Sequence, residues 1–258
     1  MTEKLKITIV QSNLIWENKE ANLANFQKII EDLAGKTDLI ILPEMFTTGF
    51  SMKPAEFAEK PNGKTLTWMK NMAESSSAAI AGSIIIKENN KFYNRFLFVT
   101  KQGIEQYDKR HLFAMAGEDK HYEQGKQSTL INYKGWKIRP QICYDLRFPV
   151  WSRNTDEYDL LIYVANWPEK RVAHWSALLR ARAIENQAYV AGVNRIGFDG
   201  NNYPHSGDSA IYNPMGEIIS KTKANQERAE TIELSYEELN KIRKNLPFLQ
   251  DKDSFFIS

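Results

Sequence analysis

The sequence holds a single cysteine, Cys143, and only four histidines in 258 residues. One thiol cannot close an intramolecular disulfide, and a cysteine-based zinc cluster cannot be assembled from so few soft ligands. That usage fits a reducing compartment. Long apolar runs are missing too: the opening MTEKLKITIVQSN has a short run broken by Gln11, too short for a signal-peptide core or a membrane span. A cytoplasmic protein without membrane contact is expected. Charge of one sign is also lacking, because 34 basic side chains against 32 acidic leave +2, and no strong field draws nucleic acid. No linker, low-complexity segment or charge run divides the chain, so residues 1–258 read as one domain.

Familiar catalytic signatures are absent as well. His111, His121, His174 and His205 form no HExxH, and no GxSxG, GxGxxG or GxxxxGK occurs. Zinc hydrolases, serine hydrolases and dinucleotide enzymes thereby lose their strongest support. A Cys–His dyad stays open, although nothing in the spacing places a particular histidine near Cys143.

What is present is an apolar fraction of 42%, enough for a packed, enzyme-like body. β-branched runs at 5–10 and 38–42 enclose helical spacing at 18–34. Helical character returns at 64–77, and 79–87, 91–100 and 103–108 read as a meander turning at Asn89-Asn90. The second half echoes the first. Strands are expected near 127–133, 136–142 and 158–164, with a short helix from about 147 and one of about eighteen residues from 170. A strand at 188–194, a loop with Gly197, Gly200 and Gly207, a hairpin at Asn213–Gly216, a strand near 229–234 and a helix from 236 complete the pattern. Alternating strands and helices with hairpins imply an α/β fold of mixed sheets, packed face to face with helices outside. The tail after 245 keeps three phenylalanines and is expected to dock on its own body or on a partner subunit.

In such sheets ligands gather beyond the carboxyl ends of strands. Glu44, Cys143 and Asn166 with Trp167 stand there, each directly after an apolar run. Taken alone, Cys143 reads first as a small buried hydrophobe, Glu44 equally as a helix-terminal or surface carboxylate, and Lys109 in YDKRHLF as part of a solvated charge cluster. Gln141, Tyr144, Asp145 and Arg147 around Cys143 shift that balance, and a helix beginning there would aim N–H groups at a thiolate.

Four stretches then carry a resemblance: LPEMFTTGFSM at 42–52, YDKRHLF at 107–113, ICYDLRFPVWSRN at 142–154, and YVANWP with the segments after it. On these the chain resembles the nitrilase superfamily of carbon–nitrogen hydrolases, within it the omega-amidase branch. The resemblance implies a four-layer αββα sandwich with two mixed β-sheets and approximate internal two-fold symmetry, commonly paired as a homodimer through the outer helices. It puts a catalytic triad on Glu44, Lys109 and Cys143, and a second glutamate on Glu118, with Glu123 the alternative.

Amide hydrolysis needs a nucleophile, a stabilised oxyanion and a proton for departing ammonia. Cys143 suits the first. Glu44 can take its proton only if removed from water, which the dry end of an apolar strand offers. Lys109 and the backbone N–H of Tyr144 would meet the oxyanion, and no metal or organic cofactor is required. The branch implies a small dicarboxylate monoamide as substrate, 2-oxoglutaramate or 2-oxosuccinamate. Arg147 could hold its far carboxylate or equally form a structural pair with Asp145. Phe46, Met115 and Trp167 are candidate pocket walls or core residues. Nitrile, N-carbamoyl or simple aliphatic amide substrates, and a non-catalytic thiol sensor, are the competing readings.

Overall fold

The computed structural model describes residues 3–256. The chain opens with β1 (Lys4–Gln11) and α1 (Lys19–Asp32), which Asn18 starts by accepting a hydrogen bond from Ala21 N at 3.1 Å. β2 (Leu39–Ile41), the one-turn α2 (Pro54–Phe57) and α3 (Lys64–Ser76) lead into the meander β3 (Ala79–Glu88), β4 (Lys91–Val99) and β5 (Ile104–Asp108). Asn89 and Asn90 make its first turn at positive φ, as the dipeptide promised.

The second half holds β6 (Ile131–Tyr133), β7 (Trp136–Ile142), α4 (Pro149–Ser152), β8 (Leu160–Ala165), α5 (Val172–Asn186) and β9 (Tyr189–Asn194). β10 (Ile196–Phe198), β11 (Pro204–Ser206), β12 (Ala210–Tyr212), β13 (Arg228–Ser235) and α6 (Tyr236–Asn245) follow.

Two mixed sheets result, ordered β13-β1-β2-β3-β4-β5 and β12-β9-β8-β7-β6. Each has three parallel central strands flanked on both sides by antiparallel ones. That shared pattern is the echo read in the sequence. Strand alternation builds the layers. Leu39 and Ile41 share the central core with Leu160, Ile162 and Val164, while Ile40 turns outward to Phe26, Ile30 and Met69 of α1 and α3. Leu161 and Tyr163 turn the other way, onto Trp175 and Leu179 of α5. The order of layers is therefore helix, sheet, sheet, helix. None of the described helices is long and apolar enough to cross a membrane.

Two local expectations are corrected. The short helix from about 147 is a 3-10 turn, Cys143–Arg147, followed by the four-residue α4 behind Pro149. So brief a turn lacks the aligned dipoles of a long helix. The glycine loop carries a small two-stranded sheet, β10–β11. The hairpin turning at 213–216 forms as expected, Asn213 N donating to Glu217 O at 2.9 Å and Ile219 N to Ile211 O at 2.9 Å around the antiparallel bridge of Tyr212 to Ile218. In the tail, Leu246 O accepts from Gln187 Nε2 at 2.6 Å and Lys252 Nζ reaches Asn154 O at 3.3 Å, while Phe248 and Phe256 lie exposed; residues 257–258 fall outside the described residues.

Candidate active site

Strand ends from both sheets meet at one place. Glu44 follows β2, Lys109 follows β5, Cys143 follows β7 and Asn166 follows β8. After Glu44 the chain reverses at Met45 (φ 43°), where Met45 N donates to Ser83 Oγ at 2.9 Å and Phe46 N to Ser83 O at 3.1 Å. Lys109 extends the β4–β5 ladder through its N–H to Asn94 O at 3.0 Å. Glu118 stands on a 3-10 turn begun by Gly117 in the left-handed region (φ 76°).

These side chains form one buried ionic cluster. Lys109 Nζ lies 2.9 Å from Glu44 Oε1 and 2.9 Å from each oxygen of Glu118. The second Glu44 oxygen accepts from the backbone of Asn166 at 2.8 Å, and Asn94 Nδ2 donates to Glu44 Oε1 at 2.8 Å. Phe113 N fixes Glu118 Oε2 at 2.6 Å. Glu44, Lys109 and Glu118 are essentially shut off from solvent. Glu123, the alternative second glutamate, pairs instead with Lys91 at 3.0 Å, partly exposed.

Burial opposes the charge on Lys109, but Glu118 and then Glu44 outweigh it and hold the ammonium well above its ordinary range. Burial, opposed by the Lys109 charge and abetted by Glu44, pushes the Glu118 carboxyl up. Burial and then Glu44 push the Cys143 thiol far up, against the pull of Lys109 and the Asn166 backbone. These influences favour the thiol over the thiolate at rest. This differs from a thiolate held ready by a helix end. A neutral thiol must give up its proton as it attacks, so a base has to stand beside it.

Cys143 sits at φ 45°, a conformation disfavoured by roughly 1–3 kcal/mol for a residue with a side chain. It is partly exposed and opens onto a cavity of about 690 Å³. Phe50 roofs Lys109, with Nζ 5.0 Å from its ring. Trp167 and Arg147 line the cavity, Tyr144, singled out only for its backbone N–H, lines it too, and Met115, 86% exposed, stands at its rim. Phe46 does not reach it. It is fully buried between the first sheet and its helices, edge-on to Phe26 at 5.7 Å, because the reversal at Met45 swings it to the far side of Glu44.

Arg147 stacks over Trp167 at 4.8 Å and bonds His174 Nδ1 at 3.2 Å. The anticipated pair with Asp145 does not form, since that carboxylate accepts from Tyr107, His111 and Ile142. Arg171, not foreseen from the sequence, lies on the same wall, 5.5 Å over Phe113. The partners of the two guanidinium groups are rings, Trp167 and His174 for Arg147 and Phe113 for Arg171, and neither has a carboxylate partner among the described residues. Asn94 was also missed, and Asp145 was singled out only as a neighbour of Cys143 and a possible partner of Arg147. Tyr107, Lys109 and His111 stand at alternate positions, so the strand period was the available signal for a shared face.

The chain matches the carbon–nitrogen hydrolase family over residues 6–244. It is 48% identical over 252 residues to the omega-amidase YafV of Escherichia coli (strain K12), covering 97% of this chain and 98% of that protein. It is 31% identical over 254 residues to the 2-oxoglutaramate amidase of Bacillus subtilis (strain 168), covering 96% and 97%. A solved relative, XC1258 of Xanthomonas campestris, described as a CN-hydrolase superfamily protein with an arsenic adduct in its active site, superposes with a TM-score of 0.96 at 40% identity over 99% of both chains. With two mixed sheets between helices and a buried Glu–Lys–Glu cluster beside its only cysteine, the chain belongs to the carbon–nitrogen hydrolases of the nitrilase superfamily.

Proposed function

We propose that the protein is a cysteine-dependent omega-amidase that hydrolyses the terminal carboxamide of 2-oxoglutaramate or 2-oxosuccinamate to the 2-oxo acid and ammonia. The observation that carries this reading is one cavity lined both by Cys143 and by two guanidinium groups, Arg147 and Arg171, without carboxylate partners among the described residues. A free carboxylate on the substrate would supply the missing anion. The named activities of the two relatives support the same class.

In this reading the Cys143 sulfur attacks the amide carbon while its proton passes to Glu44. The carbonyl oxygen becomes negative against Lys109 and the Tyr144 N–H. The C–N bond then breaks as Glu44 returns the proton to nitrogen, releasing ammonia and leaving a thioester. Water, deprotonated by Glu44, attacks the thioester carbon; the C–S bond breaks and sulfur regains the proton as thiol. Glu118 holds Lys109 in place and keeps it charged throughout. The cycle consumes one water and needs no further reactant.

The reading further places the enzyme in a reducing cytoplasm, as one domain over residues 1–258, and pairs it as a homodimer across the outer face of α5, where Ile184, Met215 and Ile218 are exposed. Ammonia release from a panel tests the substrate class. The 2-oxo acid monoamides should exceed a simple aliphatic amide, a nitrile and an N-carbamoyl amino acid in kcat/KM by about tenfold or more, the worth of one charge-assisted contact. Equal or reversed preference would overturn the assignment. Sedimentation at micromolar concentration checks the dimer.

A further inference from the structure

We infer that Asp145 is a positioning residue that sets Lys109 at its distance from Cys143. The inference rests on the reading above only for the roles of those two residues. Lys109 comes from the end of the first sheet and Cys143 from the end of the second, so nothing in either ladder fixes one against the other. Asp145 does. Its fully buried carboxylate accepts four hydrogen bonds. Oδ2 takes Tyr107 OH at 2.7 Å and Ile142 N at 3.0 Å. Oδ1 takes His111 N at 2.9 Å and His111 Nδ1 at 2.7 Å.

The positions matter more than the number. Tyr107 and His111 flank Lys109 two residues to either side, while Ile142 and Asp145 itself bracket Cys143. One carboxylate therefore clamps the lysine segment and the nucleophile turn together. Its partners are themselves held: Trp151 Nε1 donates to Tyr107 OH at 3.0 Å, and Arg110 N at 3.1 Å. The His111 ring stacks on Phe148 with centroids 3.7 Å apart and planes 7° from parallel. The clamp also braces Cys143 in its left-handed backbone conformation. Neither Tyr107, His111 nor Asp145 lines the cavity, so the three act through Lys109 and Cys143 rather than on substrate.

Asp145→Asn tests this, because it keeps size and shape but turns one acceptor into an NH2 that must face a backbone N–H, of Ile142 or of His111, so at least one of the four bonds must go. A displacement of about an ångström costs on the order of a hundredfold in rate, so kcat per folded molecule should fall by about that much while KM moves less than about threefold. Alkylation of Cys143 by iodoacetamide should slow by roughly tenfold or more, since it uses the same sulfur and the same proton acceptor. Tyr107→Phe, which removes a single hydroxyl, should lower kcat by about tenfold, the worth of one hydrogen bond to a charged group. A folded Asp145→Asn with unchanged kcat and alkylation rate overturns the inference; if that variant does not fold, an unchanged Tyr107→Phe does so. Should the natural protein release ammonia from no amide, the proposed function fails, and the alkylation rates alone decide the role of Asp145.

Discussion

Lys109 Nζ stands 2.9 Å from both oxygens of Glu118, and the same nitrogen is 2.9 Å from Glu44. One ammonium thus serves two buried carboxylates. The arrangement favours the charged form of Lys109 and raises the Cys143 thiol, and in the proposed cycle that ammonium meets the developing oxyanion while Glu44 takes the thiol proton.

Removing the cation should damage both chemistry and fold. Lys109→Ala is expected to lose about 10²–10³ in kcat, the range for one oxyanion donor. It also strands two carboxylates, at a cost of about 3–5 kcal/mol for an uncompensated buried charge. Glu118 is already pushed up by burial, so it can take a proton once the lysine is gone. A carboxyl raised in the folded state stabilises at low pH and loses that contribution as pH rises. The variant's thermal deficit should therefore be larger near pH 8 than near pH 5, measured by calorimetry.

The two guanidinium groups should act on substrate binding. Arg147→Lys and Arg171→Lys each replace a planar fork with a point charge, which should raise KM for 2-oxoglutaramate about tenfold with kcat nearly kept. A neutral amide of the same length should show no change. Steady-state kinetics on both substrates reads the difference.

Phe46 gives the converse test. Buried against Phe26 and close enough to Gly82 that an added Cβ would meet its ring at 2.9 Å, it belongs to the core. Phe46→Ala should cost about 3–5 kcal/mol of stability in denaturant unfolding and leave KM unaltered.

His205 lines the cavity yet is 3% exposed, and burial, followed by the Arg195 guanidinium, pushes it down to about 4. The folded protein holds this ring neutral while the unfolded chain protonates it near pH 6.5. Stability should be full above that point and fall as pH drops toward 4, by at most about 3 kcal/mol from this group. His205→Gln should flatten that part of the stability curve in chemical denaturation at stepped pH.

The architecture was legible because its signals are local. Apolar runs before Glu44 and Cys143 and the Asn89-Asn90 turn each act over a few residues and agree with the layers they build. Residues that depend on long-range placement were not legible. Phe46 looked like a pocket wall from its nearness to Glu44, and only the reversal at Met45 sends it into the core. Arg171 is foreign to the motif stretches and reaches the cavity because the turn after β8 carries it there. Asp145 looked like a partner for Arg147 along the chain, whereas its bonds run across sheets to Tyr107 and His111.

The most direct test is the intact mass of the protein quenched in acid within its first turnovers with 2-oxoglutaramate. A mass increase equal to substrate minus ammonia, mapped to Cys143 and missing in Glu44→Gln, is the expected result. Ammonia released with no adduct at any quench time, or release that survives loss of the Cys143 sulfur, would contradict it.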